Sequence, residues 1–115
     1  MITIWHNPRC SKSRQTLALI EATGAKVAVR RYLDSPPTMA ELEAAKSALG
    51  LRPIDMMRTG ETRFKELGLS KDSDDLTLMK AMVENPILIE RPIVFKDSQA
   101  IIGRPPETVN ILLAG

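Results

Sequence analysis

The apolar positions of the chain change period several times, and each change marks an element. Ile2-Thr3-Ile4-Trp5 is an apolar, β-branched run that predicts a strand. Leu17, Ile20 and Gly24 then mark a helix with one apolar stripe and a glycine stop. Residues 26–32 alternate and predict a second strand. A β-α-β unit of this size implies parallel strands joined by a right-handed crossover. Pro36-Pro37 breaks the chain, and Thr38 with Glu41 three residues later predicts a capping box opening a helix through about Leu49, closed by Gly50. Further short helices are expected at Pro53–Arg58, Glu61–Leu67 and Asp74–Val83.

The strand pattern resumes at Ile93-Val94-Phe95, turns through Lys96-Asp97-Ser98-Gln99 and returns along Ala100-Ile101-Ile102, an antiparallel hairpin with a four-residue connection. Pro105-Pro106 then suits the start of a last helix, Glu107–Leu113. The order β-α-β, helical stretch, β-β-α predicts an α/β chain with a thioredoxin-like (glutaredoxin-like) core. The helical insertion, about residues 38–84, falls between the second and third strands of a single domain covering residues 1–115.

Composition narrows the classes. Hydrophobic content of 43% and charged content of 26% are ordinary for a globular protein. A net charge of +2 with no basic stripe interleaved with aromatics gives no case for nucleic acid. No apolar run approaches the roughly 18 residues of a membrane helix, and no signal-peptide pattern opens the chain. One cysteine makes no internal disulfide, so a cytoplasmic location is expected. With one Cys and one His, metal binding is not expected.

The chemistry concentrates in His6-Asn7-Pro8-Arg9-Cys10-Ser11-Lys12-Ser13-Arg14. Pro8 lacks an N–H and disfavours helix in Asn7, which predicts an open loop before Cys10. Cys10 is then at a strand-to-helix junction, its sulfur near the free N–H groups of the first turn. An unperturbed cysteine titrates near 8.5, roughly; a helix N-terminus contributes up to ~2 kcal/mol, or about one and a half pKa units. Arg9, Lys12 and Arg14, with His6 if protonated, complete the shift. Most free cysteines are small buried hydrophobes, but the polar and basic neighbours here favour a reactive thiolate. His6 is either a spacer bonded to backbone or, four residues before the thiolate, an electrostatic partner; the second is favoured. Ser13 either caps the first turn or hydrogen-bonds the thiolate, and again the second is favoured. Ser13 also stands where a C-x-x-C pair would have its second thiol, so dithiol exchange within the chain is unavailable.

The chain resembles the ArsC family, the glutaredoxin-coupled arsenate reductases and their close relatives. The resemblance rests on the His6–Arg14 stretch, Tyr32-Leu33 with Pro36-Pro37, Arg58-Thr59-Gly60-Glu61, Glu66-Leu67-Gly68-Leu69, Asn85–Val94 and Gly103-Arg104-Pro105-Pro106-Glu107. It implies that Cys10 attacks arsenate, that Arg58, Arg91 and Arg104 hold the oxyanion, and that Pro92 is cis beside the site. It further implies no bound cofactor, with glutathione as co-substrate and glutaredoxin as partner. Arginine suits that task, because its planar, permanently charged fork binds two oxygens of a tetrahedral anion at once. Two other readings accompany this one: a related glutathione-dependent thiol oxidoreductase of undefined substrate, and a non-enzymatic relative resembling the Spx regulators that bind RNA polymerase. Ser13 argues against the second, since such regulators commonly carry a C-x-x-C switch.

Overall fold

A computed structural model of the chain describes residues 1–114. Two compact units are formed, one from Met1–Ser35 together with the segment from Arg91 onward, the other from Pro36–Glu90.

The first unit is a mixed four-stranded sheet with helices, the thioredoxin-like arrangement. Its strands are β1 (Ile2–His6), β2 (Val27–Arg31), β3 (Ile93–Lys96) and β4 (Gln99–Ile102), in the order β2-β1-β3-β4. β1 runs parallel to β2, with Ile4 opposite Val29, and antiparallel to β3, with Ile4 opposite Val94. The crossover from β1 to β2 is α1 (Ser11–Ala22). Ile2, Ile4, Ile20, Val94, Val109 and Leu112 form the core of this unit. Trp5, on the opposite pleat of β1, packs a ring against Phe95 at 4.9 Å and carries the Arg30 guanidinium over its face at 5.7 Å.

The hairpin is tighter than its sequence suggests. β3 continues through Lys96 and β4 begins at Gln99, so Asp97 and Ser98 alone turn the chain, with Asp97 at φ +56°. Asp tolerates that left-handed backbone better than most residues do. The last helix is likewise divided, into a 3₁₀ turn at Pro106–Val109 and α5 (Asn110–Leu113).

In the second unit, α2 (Met39–Leu49) opens with the expected capping box between Thr38 and Glu41 and ends on Gly50 in the left-handed region. α3 (Thr62–Glu66) and α4 (Asp75–Glu84) follow. The Asp74 side chain caps α4 by accepting from the Thr77 N–H at 2.7 Å. The helix expected over Pro53–Arg58 is a 3₁₀ turn ending at Met56. Beyond it the backbone is extended: Met57 bridges Ile89 antiparallel, and the Arg58 N–H donates to the Leu88 carbonyl at 2.8 Å. Arg58 thus follows the bridged Met57 and opens a turn, its carbonyl accepting from the Glu61 N–H at 3.2 Å, and does not end a helix. Among the described residues no helix is long and apolar enough to cross a membrane.

Candidate functional site

The loop between β1 and α1 is closed rather than open. The Cys10 N–H donates to the Asn7 carbonyl at 3.0 Å, making a four-residue turn with Pro8 in its second position. The Asn7 side chain accepts from the Arg9 N–H at 3.0 Å, an Asx turn, and Arg14 Nη1 donates to the Pro8 carbonyl at 2.9 Å. Asn7 and Pro8 both favour turns, and their preferences reinforce each other.

Cys10 occupies the N-cap position of α1, with extended backbone angles of φ −94° and ψ 121°. No hydroxyl or carboxylate caps this helix. Burial alone raises the Cys10 thiol, but the Ser13 backbone N–H, the Arg91 side chain and the Lys12 backbone N–H all donate toward the sulfur, and the Arg91 charge adds to them. The net effect holds the thiol below its ordinary value. Arg104 Nη1 stands 3.9 Å from the same sulfur and donates to the Arg91 carbonyl at 3.2 Å. Both arginines precede a proline, and the Arg91–Pro92 and Arg104–Pro105 peptide bonds are both cis.

The other sequence candidates are placed differently from one another. Ser13 is fully buried, and its hydroxyl lies 2.7 Å from His6 Nδ1 while accepting from the Asn7 N–H at 3.1 Å. The expected bond from the Ser13 hydroxyl to the thiolate is therefore replaced by one from the Ser13 backbone. His6 is also corrected. Burial lowers its pKa first, then the charges of Arg31 and Arg14, with Glu21 opposing. Each of these leading influences disfavours the cationic form, and the ring is turned onto the Ser13 hydroxyl. Arg14 braces the loop through the Pro8 carbonyl. Arg58, in the second unit, directs Nε to Glu61 Oε1 at 3.0 Å and Nη1 to Glu90 Oε1 at 3.3 Å.

Three residues of this neighbourhood escape the sequence reading. Asn7 shapes the turn, and Thr16 and Gly103 pack against Pro92's surroundings. The buried face of α1 is Ser13, Thr16 and Ile20, so its stripe has the expected helical spacing but is polar toward the N-terminus. Polarity hid it.

A family model described as the ArsC family matches residues 5–112, nearly the whole chain. The chain belongs to the ArsC family. A relative named arsenate reductase, from Neisseria meningitidis serogroup A, is 44% identical over 114 residues, covering 97% of each chain. Among solved structures, a putative arsenate reductase from Yersinia pestis is 46% identical with a TM-score of 0.91, covering 96% of this chain and 99% of its own. An arsenate reductase from Vibrio cholerae, 47% identical, has the same TM-score of 0.91 and covers 96% and 95%. The ArsC fold of this chain therefore carries one thiol and two arginines converging at the start of α1.

Proposed function

We propose that this chain is an arsenate reductase in which the Cys10 thiolate attacks arsenate and glutathione with glutaredoxin resolves the intermediate. One observation carries the reading: the Cys10 sulfur receives the first-turn N–H groups and the Arg91 side chain, with Arg104 Nη1 at 3.9 Å. These donors suit a thiolate before reaction and the oxygens of a tetrahedral anion during it. The names borne by the relatives point to the same substrate.

In the first step the Cys10 sulfur bonds to arsenic and an arsenate oxygen leaves as water, giving a thiol–arsenate ester. A glutathione thiol then attacks the Cys10 sulfur. The S–As bond breaks, its electron pair stays on arsenic, and arsenite departs, leaving a Cys10–glutathione disulfide. Since the chain has one cysteine, the second reducing thiol is external; glutaredoxin supplies it by thiol–disulfide exchange, which regenerates Cys10. Arg91 and Arg104 bind the anion and stabilise its charge, and Arg58 is the third arginine assigned to that role by family pattern. A dependence on reduced glutathione fits a cytoplasmic setting.

Purified protein assayed with arsenate, glutathione and glutaredoxin tests the reading. Arsenite production is expected, with a Cys10–glutathione adduct visible by mass spectrometry when glutaredoxin is withheld. Robust multiple turnover with thioredoxin alone would contradict the reductant; no arsenite under any thiol system would contradict the substrate.

A further inference from the structure

Gly103 lies where three parts of the first unit meet. Its N–H donates to the Pro92 carbonyl at 2.9 Å, tying the exit of β4 to the entry of β3. A Cβ built on Gly103 would fall 2.6 Å from Thr16 Oγ1, 2.8 Å from Pro92 Cγ and 3.0 Å from Thr16 Cγ2. Neither neighbour has a flexible end that swings clear. Pro92 is a ring, and Thr16 is a fully buried, β-branched residue inside a helix. The Thr16 hydroxyl donates to the Lys12 carbonyl at 2.8 Å, back toward the helix start that Cys10 caps, and lies 3.4 Å from the Gly103 carbonyl. The residues adjoining this contact are Arg91, before Pro92, and Arg104, after Gly103.

We infer that Gly103 and Thr16 are positioning residues, forming a close-packed joint that sets Arg91 and Arg104 at their distances from the Cys10 sulfur. The absence of a side chain at 103 lets β4 approach α1 and Pro92 at once. One added methyl must push the Arg91–Pro92 segment or the Arg104 segment away from the helix, because Thr16 cannot yield. The effect reaches the sulfur through Arg91, whose hydrogen bond and charge both hold the thiol down. That consequence belongs to the free protein. A second consequence, weaker oxyanion binding, rests on the proposed reduction of arsenate.

The test is Gly103→Ala, alone and with Thr16→Ala, read first by the pH dependence of Cys10 alkylation. Loss of a charge-assisted hydrogen bond predicts a midpoint higher by about one pH unit in Gly103→Ala. Partial return toward wild type is expected in the double variant, where the Thr16 atoms that a Cβ would strike are gone. The arsenate KM should rise with the midpoint and fall back with it. A purely structural glycine would lower the melting temperature of Gly103→Ala yet leave the midpoint of the folded protein unchanged, and that result overturns the joint. If Gly103→Ala alone does not fold, Thr16→Ala decides, since it removes the other half of the joint: a wild-type midpoint in it overturns the inference, a raised one supports it. The alkylation readout needs no arsenate, so an inactive wild type would count against the proposed activity without touching this inference.

Discussion

The Ser13 hydroxyl is turned onto His6, 2.7 Å from Nδ1, while the Ser13 backbone N–H is turned toward the Cys10 sulfur. One residue thus serves two tasks through different atoms, which separates them experimentally. Ser13→Ala keeps the N–H and loses the hydroxyl. The expected outcome is a loss of about 1–3 kcal/mol in urea unfolding, because His6 and Asn7 are left with unsatisfied buried groups. The Cys10 alkylation midpoint should stay low in the folded variant. A midpoint returning to that of a free cysteine would make the hydroxyl, and not the backbone N–H, the donor that holds the thiolate.

The arginines at the sulfur should not tolerate lysine. Arg91→Lys keeps a charge but gives up the planar fork. Together with Arg104→Lys it is expected to lose roughly ten- to a hundredfold in kcat/KM for arsenate, the equivalent of ~1.5–3 kcal/mol. Arg91→Lys should also raise the alkylation midpoint. Steady-state kinetics on folded variants decide the matter, and wild-type values for both would remove the carriers of the oxyanion.

Arg58→Lys is expected to lose less activity, since its guanidinium is already committed to Glu61 and Glu90. Its signature is stability instead. Pairs of this kind are worth up to about 1 kcal/mol each, so Arg58→Ala should lower the urea midpoint of a variant in which both carboxylates remain. A stability equal to wild type would show the clamp to be idle.

His6 gives the fold a pH dependence of known sign. Burial first, then Arg31 and Arg14, holds its pKa below the ordinary value near ~6.5. The unfolded chain therefore binds the proton at a pH where the folded protein does not. Stability is full above that ordinary value and falls as pH drops below it toward the folded pKa. Urea unfolding from pH 7.5 downward should show this slope, and His6→Gln should flatten it. An unchanged slope in the variant would assign the acid sensitivity to other groups.

The strand and helix order was legible because it rests on period, on Gly50 and the Thr38–Glu41 box, and on prolines at the breaks. What escaped was set by geometry between distant segments. The Asp97-Ser98 turn depends on pairing that extends both strands by a residue, and the helical turn stops at Met56, short of Arg58, where Met57 finds Ile89 across the unit. At the site, residue types were readable and atom assignments were not. Ser13 and His6 both lie near the thiol in sequence, yet burial disfavours the cationic form of His6 and the Ser13 hydroxyl is taken up by the His6 ring. Thr16 and Gly103 are 87 residues apart, and no local pattern announces that they touch.

Cys10 stands where most helices carry an oxygen, and this makes the sulfur a fastener as well as a reagent. The donors that draw the proton off the thiol are, by the same free energy, drawn to the ionised sulfur and secure the opening turn of α1. That reinforcement is complete above the pKa of an unfolded cysteine and fades as pH falls through the lower folded value. Alkylation, a glutathione adduct or bound arsenic each takes the charge from the sulfur. Every turnover in the proposed cycle therefore begins by slackening the first turn of the helix and ends by tightening it again.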